Sequence, residues 1–267
     1  MINTQLNASD NYLQLYLAKY SPILDQYRKH GAVLSQPYGG LGDNLAYSTL
    51  PERLSEHGVD CYISDKNSYR NSEVKELILS NPYLKGISSE KANAGDINGE
   101  IFDKLLPISI GFIERIEIAH GLKPKNHRPI IYYKPKRIVG LSDKILVDIG
   151  SITADISKDA LIDYIKFIIH KYKYEVPKLI QIVFEKPVAA KNTFHINDLE
   201  KITVNNLFNY CDILYSAYAF ITVTSGAQSL AVAIKNFDSN LKIHSYALPV
   251  HYNWRNYIYN DVDYYVK

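Results

Sequence analysis

"QPYGGLGDNLAYSTLPERL" (36–54) places three glycines and an aspartate between an apolar segment and a helical pattern. The residues before the glycines (31–37) predict a short buried strand, and residues 43–58 predict a helix that ends at Gly58. "VDCYISD" (59–65) predicts the next strand. Strand, turn, helix and strand in this order form a βαβ unit, which is typical of a parallel sheet.

The same pattern returns in the second half of the chain. "KILVDIG" (144–150) and "KLIQIVFEKP" (178–187) predict strands on either side of a helix at 157–173. "AFITVTSG" (219–226) predicts a strand that leads into a second glycine turn and another helix. A basic, proline-bearing connector (121–137) separates the two series.

The predicted fold class is therefore α/β, with two Rossmann-like halves that each contain a parallel sheet. We expect an N-terminal domain over residues 1–135 and a C-terminal domain over residues 136–267. Before the first strand, residues 10–29 have helical spacing, and Pro22 is expected to divide them into two pieces.

The composition of the chain limits the classes of function. Its 267 residues are 46% hydrophobic and 22% charged, which is ordinary for a soluble globular protein. A net charge of +2 is too small to indicate nucleic acid as a partner. The segment at the N-terminus does not resemble a signal peptide, and the two cysteines, Cys61 and Cys211, lack metal-ligand spacing, so we expect a reduced cytoplasmic protein.

The first glycine turn is suited to an anionic ligand. Gly39, Gly40 and Gly42 permit a close backbone approach, and amides at a helix start can point at a phosphate or carboxylate. The turn is neither a Walker A loop nor a Gly-x-Gly-x-x-Gly motif. The alternative is that these glycines only allow the helix to pack tightly on its strand.

Asp43 allows two interpretations. An aspartate at the start of a helix commonly caps it and stabilises it by about 0.5–2 kcal/mol. The same helix dipole favours the ionised carboxylate, which would be ready to act as a general base.

The second glycine turn lies in "VTSGAQSLAVAI" (223–234). Thr224 and Ser225 offer hydroxyls, Gly226 permits close approach, and Gln228 and Ser229 begin a helix. Hydroxyls and amides at a helix start suit a diphosphate or a ribose. The alternative is a Ser/Thr cap before a helix of small residues packed on the sheet.

The two turns together resemble the heptosyltransferase-like glycosyltransferases of glycosyltransferase family nine. "GGLGDNLAYSTLPERL" (39–54) resembles the opening Gly-x-Gly-Asp turn of that family, and "FNYCDILYSAYAFITVTSGAQSLAVAIKN" (208–236) resembles its late segment. "SNPYLKGI" (80–87) and "AHGLKPKNHRPIIYYKP" (119–135) are also similar to family stretches. The resemblance implies a GT-B architecture, in which two Rossmann-like halves face a cleft that binds an acceptor on the N-terminal half and a nucleotide-sugar donor on the C-terminal half.

The resemblance also implies roles for individual residues. Asp43 matches the aspartate proposed to deprotonate the acceptor hydroxyl. The acceptor-binding candidates are Gly40, Gly42 and Asn44. The donor-binding candidates are Ser151, Thr153, Glu185, Lys186, Thr224, Ser225, Gly226 and Gln228. For Glu185 and Lys186 the alternative is a solvated strand end, and Ser151 and Thr153 have a similar structural alternative.

The sequence departs from the family pattern in its second turn. The family's Asp-Thr-Gly is replaced by Thr224-Ser225-Gly226, and its histidine three residues after the glycine is replaced by Ser229. This departure leaves the identity of the donor open. We expect no metal or other cofactor, and we interpret the "DVD" at 261–263 as a chance match to a metal-binding Asp-x-Asp.

The leading hypothesis is an inverting, metal-independent glycosyltransferase that moves a sugar from a nucleotide-sugar to a bacterial surface glycan or glycolipid. The basic connector is either a solvated linker or a surface attracted to an anionic glycolipid or the inner membrane face. The second hypothesis is a degenerate GT-B-like protein that binds a nucleotide or glycan without transfer. A nicotinamide-dependent oxidoreductase suits the fold class but not the spacing of the turns.

Overall fold

The computed structural model describes residues 3–95, 110–150, 156–185, 196, 199–237, 239–249, 252 and 257–267. Side chains are described in all of these except residues 3–13 and 16. None of the described helices combines the length and the apolar character that crossing a bilayer requires.

The N-terminal half contains a parallel sheet of four strands in the order β3-β2-β1-β4. Its strands are β1 (Ala32–Ser35), β2 (Cys61–Ser64), β3 (Leu84–Ser88) and β4 (Ala94–Gly95). Its helices are α1 (Asn3–His30), α2 (Leu41–Ala46), α3 (Leu50–Ser55), α4 (Ser72–Leu79) and α5 (Phe112–Ala119). The first three residues of β1 are buried, as expected for a strand in the middle of a covered parallel sheet.

The C-terminal half contains a parallel sheet of six strands in the order β10-β9-β8-β5-β6-β7. Its strands are β5 (Ile145–Asp148), β6 (Leu179–Phe184), β7 (Glu200–Val204), β8 (Ala219–Val223), β9 (Lys242–Ala247) and β10 (Val262–Val266). Its helices are α6 (Lys158–Tyr172), α7 (Leu207–Ser216) and α8 (Gly226–Ile234), with 3₁₀ turns at Val176–Lys178 and Lys235–Phe237. The two parallel sheets confirm the predicted α/β class.

Prolines account for two differences from the predicted helices. The single helix predicted at 43–58 is instead two helices, α2 and α3. Pro51 has no N–H group to donate. It is therefore tolerated in the first turn of a helix, and α3 begins at this point as a separate helix. Pro22 does not divide the first helix, and the prediction of two pieces is wrong. It lies inside the continuous α1, which Leu24 and Tyr27 anchor by burial. A proline removes one helical hydrogen bond but need not end the helix.

The basic connector is bound to both halves and is not a solvated linker. The fully buried Glu117 carboxylate accepts the backbone N–H of Lys125 at 2.7 Å. The Ile130 N–H donates to Ser48 Oγ in the N-terminal half, and the Tyr133 hydroxyl donates to Asp212 in the C-terminal half at 2.9 Å. The connector therefore fixes the two halves against each other.

The apolar core continues from one half into the other. Leu45 of α2 and Leu50 of α3 belong to the same buried cluster as Leu230 and Ile234 of α8, and all four are fully buried. Helix α2 packs directly on α8. The proposed boundary between residues 135 and 136 falls inside the connector and remains a prediction.

Candidate functional site

Each glycine turn follows a strand that borders the switch point of its sheet, β1 in the N-terminal half and β8 in the C-terminal half. In the N-terminal half the chain moves outward from β1 to β2 and β3, and then returns to place β4 on the other side of β1. In the C-terminal half it moves from β5 to β6 and β7, and then places β8 on the other side of β5. Ligands of open α/β sheets bind at the carboxyl ends of the strands at such switch points.

The two glycine turns touch each other. A Cβ atom added to Gly226 would lie 2.9 Å from the backbone nitrogen of Gly42, and a Cβ atom on Gly42 would lie 3.3 Å from the Gly226 Cα. The starts of α2 and α8 therefore meet across the two halves. The first-turn N–H groups of a helix have no partner within the helix, so this contact brings two sets of such donors to one place.

Side-chain hydrogen bonds hold the first turn rigidly. The Gly39 N–H donates to Gln36 Oε1 at 2.9 Å. The Asn44 amide donates to the carbonyl oxygens of Gly40 at 3.0 Å and Ser68 at 3.2 Å. Asn44 is buried, and its donors are used inside the protein. Its predicted role in acceptor binding stays a prediction.

The Asp43 carboxylate does not cap α2. The N-cap is Gly40, and Asp43 is the third residue of the helix. The hydroxyl of Tyr257 donates to Asp43 Oδ1. The other oxygen lies over Gly40, where an added Cβ would be 2.4 Å from it. Asp43 is partly exposed, so its carboxylate is oriented by the protein and still reachable from solvent.

Tyr257 belongs to a C-terminal segment that α8 holds in place. Gln228 is fully buried, and its amide nitrogen donates to the Tyr257 carbonyl at 2.7 Å and to the Tyr264 hydroxyl at 3.0 Å. Its amide oxygen accepts from Ser245 Oγ. Gln228 thus joins α8 to the last strand, and its predicted donor contact stays a prediction.

The sequence interpretation missed this segment. The available signal was the five tyrosines between residues 252 and 265. Burial and the neighbouring Asp43 carboxylate raise the pKa of Tyr257 well above its usual range. Burial also raises the pKa of Tyr259, whose hydroxyl contacts Ser229 Oγ at 3.0 Å. Both side chains are therefore neutral phenols near Asp43.

The second glycine turn contains a buried hydroxyl with no partner. Thr224 Oγ1 donates to the Tyr246 carbonyl at 3.3 Å. Ser225 is the N-cap of α8 but makes no side-chain cap bond, and its Oγ is buried without a hydrogen bond among the described residues. Since nearly all buried polar atoms in folded proteins are paired, this hydroxyl is a group that a ligand or a water would satisfy.

Of the remaining predicted donor residues, the structure describes only Glu185. Ser151, Thr153 and Lys186 lie outside the described residues. Glu185 follows β6 with an exposed side chain, and its N–H donates to the Val204 carbonyl at 3.0 Å. Its proposed contact with the donor remains a prediction.

The "DVD" carboxylates are engaged in ion pairs. Arg128 donates to both oxygens of Asp261, at 2.6 Å and 2.8 Å, and this guanidinium lowers the pKa of Asp261. Asp263 accepts from the Tyr172 hydroxyl and pairs with Lys171 at 3.2 Å. In the part of the chain that the structure describes, no three His, Cys, Asp or Glu side chains lie where they could hold a metal ion.

A small cavity lies inside the N-terminal half, between the sheet and helices α2 to α4. Its polar lining includes Ser35, Gln36, Asn44 and Asn81. It encloses about 30 Å³, which is room for about one water molecule. This cavity is too small for a sugar. The candidate site is instead the partly exposed Asp43 carboxylate together with the adjoining Ser225 turn.

Comparison with known proteins gives structural matches only. No protein-family model matches the chain, and no curated protein sequence matches it. The fold is similar to the dodecameric iron-containing heptosyltransferase TibC in complex with ADP-D-β-D-heptose, with a TM-score of 0.56 and 16% identity over 80% of this chain. A second structure of TibC, from enterotoxigenic E. coli, gives a TM-score of 0.54 and 15% identity over 82% of this chain.

The likeness to TibC has a limited extent. The chain spans 58% and 57% of the two TibC chains. A glycosyl transferase family 9 structure from Veillonella parvula aligns over 90% of this chain and 87% of its own, with 10% identity and a TM-score of 0.49, which is too low to support a conclusion. At these identities the two TibC structures establish the fold alone, and they agree with the predicted arrangement of two α/β halves that each contain a parallel sheet.

Proposed function

We propose that this chain is a glycosyltransferase that takes its sugar from a nucleotide-sugar donor. One observation supports the proposal above the others: the contact between Gly42 and Gly226 places the Asp43 turn and the Ser225 turn at one edge of the molecule. A transferase of this kind needs a base for the acceptor and donors for the leaving diphosphate, and these two turns carry those groups. The fold shared with TibC is consistent with this reaction.

We assign the donor diphosphate to the start of α8. The hydroxyl of Ser225 and the first-turn amides from Gly226 onward would hydrogen-bond its oxygens. TibC was solved with a nucleotide-sugar, ADP-heptose. In this proposal Thr224 shapes the turn through its bond to Tyr246. Residues Ser151, Thr153, Glu185 and Lys186 would reach the ribose or phosphates from the neighbouring strand ends.

We assign the acceptor to the first turn, beside Gly40 and Gly42. The acceptor oxygen attacks the anomeric carbon, the bond from that carbon to the diphosphate oxygen breaks, and Asp43 takes the acceptor proton. A single displacement of this kind inverts the anomeric configuration. The helix-start amides neutralise the leaving diphosphate, so the mechanism uses no metal ion.

The acceptor in this proposal is a bacterial surface glycan or glycolipid, and the protein works in the cytoplasm at the inner membrane face. The exposed lysines of the connector, such as Lys123 and Lys136, would favour an anionic surface. Arg128 does not contribute to this surface, because it is paired with Asp261.

A second candidate is a binding protein that holds a nucleotide-sugar or glycan without transfer. Two observations favour it: the donor turn lacks the acid and the histidine of the family pattern, and the chain spans less than three fifths of TibC. The two candidates differ only in whether a sugar leaves its nucleotide.

A thermal-shift screen followed by a transfer assay tests both candidates. The chain is heated with UDP-, GDP-, ADP- and CMP-sugars, and with NAD as a control ligand. A ligand at about 100 times its Kd stabilises the fold by about 2.7 kcal/mol, which is visible as a rise in Tm. The binding sugar is then incubated with glycan and glycolipid acceptors, and product is sought by mass spectrometry.

Product formation supports the transferase. Stabilisation without product or donor hydrolysis identifies the binding protein. Stabilisation by NAD alone overturns both. Stabilisation by none of the nucleotide-sugars overturns the transferase, and a further failure of the glycan acceptors to stabilise the chain overturns the binding protein.

A further inference from the structure

Tyr257 contacts the carboxylate that the proposed function uses as a base, although 214 residues separate the two in sequence. Its hydroxyl donates to Asp43 Oδ1. The carboxylate accepts this bond on one oxygen and leaves the other oxygen over Gly40. A carboxylate has no donor of its own when ionised, so a neutral phenol is a suitable partner for it.

The backbone of Tyr257 is held in an uncommon conformation. Its φ is 57°, in the left-handed region that bulky residues rarely adopt. The Gln228 amide binds its carbonyl at 2.7 Å, and its ring packs on Phe112 of α5 at 4.6 Å between centroids. Such strain is retained where the surroundings fix it, and it commonly marks a functional position.

Hydrogen bonds connect the second glycine turn, through Gln228 and Tyr257, to the Asp43 carboxylate. Gln228 lies two residues after Gly226, and its amide oxygen is fixed in turn by Ser245 of β9. Tyr264 supports the same carbonyl of Tyr257 at 3.3 Å. The phenol that contacts Asp43 in the N-terminal half is therefore placed by α8 of the C-terminal half.

We propose that Tyr257 is a positioning residue that orients the Asp43 carboxylate for proton abstraction. This inference rests on the proposed function. It assigns to Tyr257, a residue of the C-terminal half, a role in orienting the proposed base in the N-terminal half. The consequence is that the base is correctly oriented only when the C-terminal segment is docked on α8.

The separate effects on kcat and KM test the proposal. In Tyr257→Phe the Asp43 carboxylate loses the bond that fixes its orientation, whereas the two glycine turns keep their backbone. We therefore expect kcat to fall about tenfold and the KM for donor and acceptor to stay near the wild-type values.

Tyr265→Phe is the matched control. Tyr265 lies next to Tyr264 on β10, and its ring packs on Phe167 and Tyr164 of α6, on the opposite face of the strand. Its kcat and KM are expected to match the wild type.

Three outcomes separate the possibilities. A kcat that falls in Tyr257→Phe alone, with an unchanged KM and Tm, supports the proposal. An unchanged kcat, or a kcat that falls only together with a lowered Tm, shows that Tyr257 only holds the segment, and overturns the proposal while transfer stands. If the wild-type chain forms no product, the proposed function is wrong and this inference falls with it.

Discussion

The two glycine turns both follow strands that border the switch point of their sheet, yet their polar side chains make different contacts. In the first turn, Gln36 Oε1 and the Asn44 amide bind the backbone from within, and Asn67 donates to Asn44 Oδ1 at 3.1 Å; Gln36 Nε2 is buried with no partner in the described part of the chain. In the second turn, the Ser225 hydroxyl is buried with no partner among the described residues, and it makes no cap bond. The first turn is therefore a largely internally bonded support for the Asp43 carboxylate, whereas the second carries a hydroxyl that a ligand or a water would satisfy.

The largest expected effect comes from removing the charge at the first turn. Asp43→Asn keeps the shape of the side chain but cannot accept a proton, so transfer is expected to fall about 10³-fold. The free energy of unfolding is expected to change by less than about 1 kcal/mol, because the partner phenol can still donate to the amide oxygen. Steady-state kinetics and urea unfolding measure the two quantities.

Asp60→Asn is the control for that variant. Asp60 is exposed, and its only described ion pair is with Lys85 at 3.7 Å, so transfer is expected to stay at the wild-type rate. Near wild-type turnover in Asp43→Asn would remove the base from the mechanism.

The substitution Gly40→Ala tests whether the first glycine turn fixes the orientation of the Asp43 carboxylate. Gly40 has a φ of −67°, which alanine adopts without strain, so stability is expected to fall by less than about 1 kcal/mol. The methyl would occupy the position of Asp43 Oδ2 and turn the carboxylate away from Tyr257. We expect a loss of about 100-fold in kcat.

Gly58→Ala is the control, because it is expected to lower stability and to leave activity unchanged. Gly58 has a φ of 72° with nothing within 4 Å of an added Cβ, so alanine is strained there without steric conflict. This variant is expected to lose about 1 kcal/mol of stability and no activity. Equal activity in the Gly40 and Gly58 variants would show that the orientation of the carboxylate is not critical.

Removing the internal bonds of the first turn is expected to cost stability. Asn44→Ala leaves the Ser68 carbonyl and the Asn67 amide with one partner fewer, so we expect a loss of about 2 kcal/mol. Chemical denaturation measures it. A loss below about 0.5 kcal/mol would mean that water replaces these bonds and that the turn is not rigid.

The smallest expected effect is at the second turn and has the opposite sign. Ser225→Ala removes a buried hydroxyl that has no partner, so stability is expected to be unchanged or to rise by up to about 1 kcal/mol. The KM for the donor is expected to rise about tenfold, because the diphosphate loses one donor. A destabilised variant with an unchanged KM would show that this hydroxyl serves the fold.

Local patterns were sufficient for most of the fold. Apolar runs located β1, β5 and β8 to within a few residues, and the helix predicted at 157–173 is α6, which Ser157 caps. Strand β4 has only two residues, and β10 is rich in tyrosine, so neither gave a clear strand pattern. The two-sheet α/β class followed from the repeated βαβ order.

The site was harder to predict because its contacts are long-range. Asp43 was found from its turn, but its bond to Tyr257 joins residues that no local pattern connects. The ion pair of Arg128 with Asp261 also joins residues that no local pattern connects, because one lies in the basic connector and the other in the "DVD" motif. Sequence spacing shows which residues share a strand end, and only packing shows which distant residues meet.

The core shared by the two halves restricts how substrates reach this edge. Swinging the halves apart would separate Gly42 from Gly226 and expose the apolar side chains of Leu45 and Leu230 to water. Burying such side chains is worth about 2 kcal/mol each, so a wide hinge motion is costly. In the proposed transferase, substrates would therefore have to reach the Asp43 and Ser225 turns while the two halves stay docked.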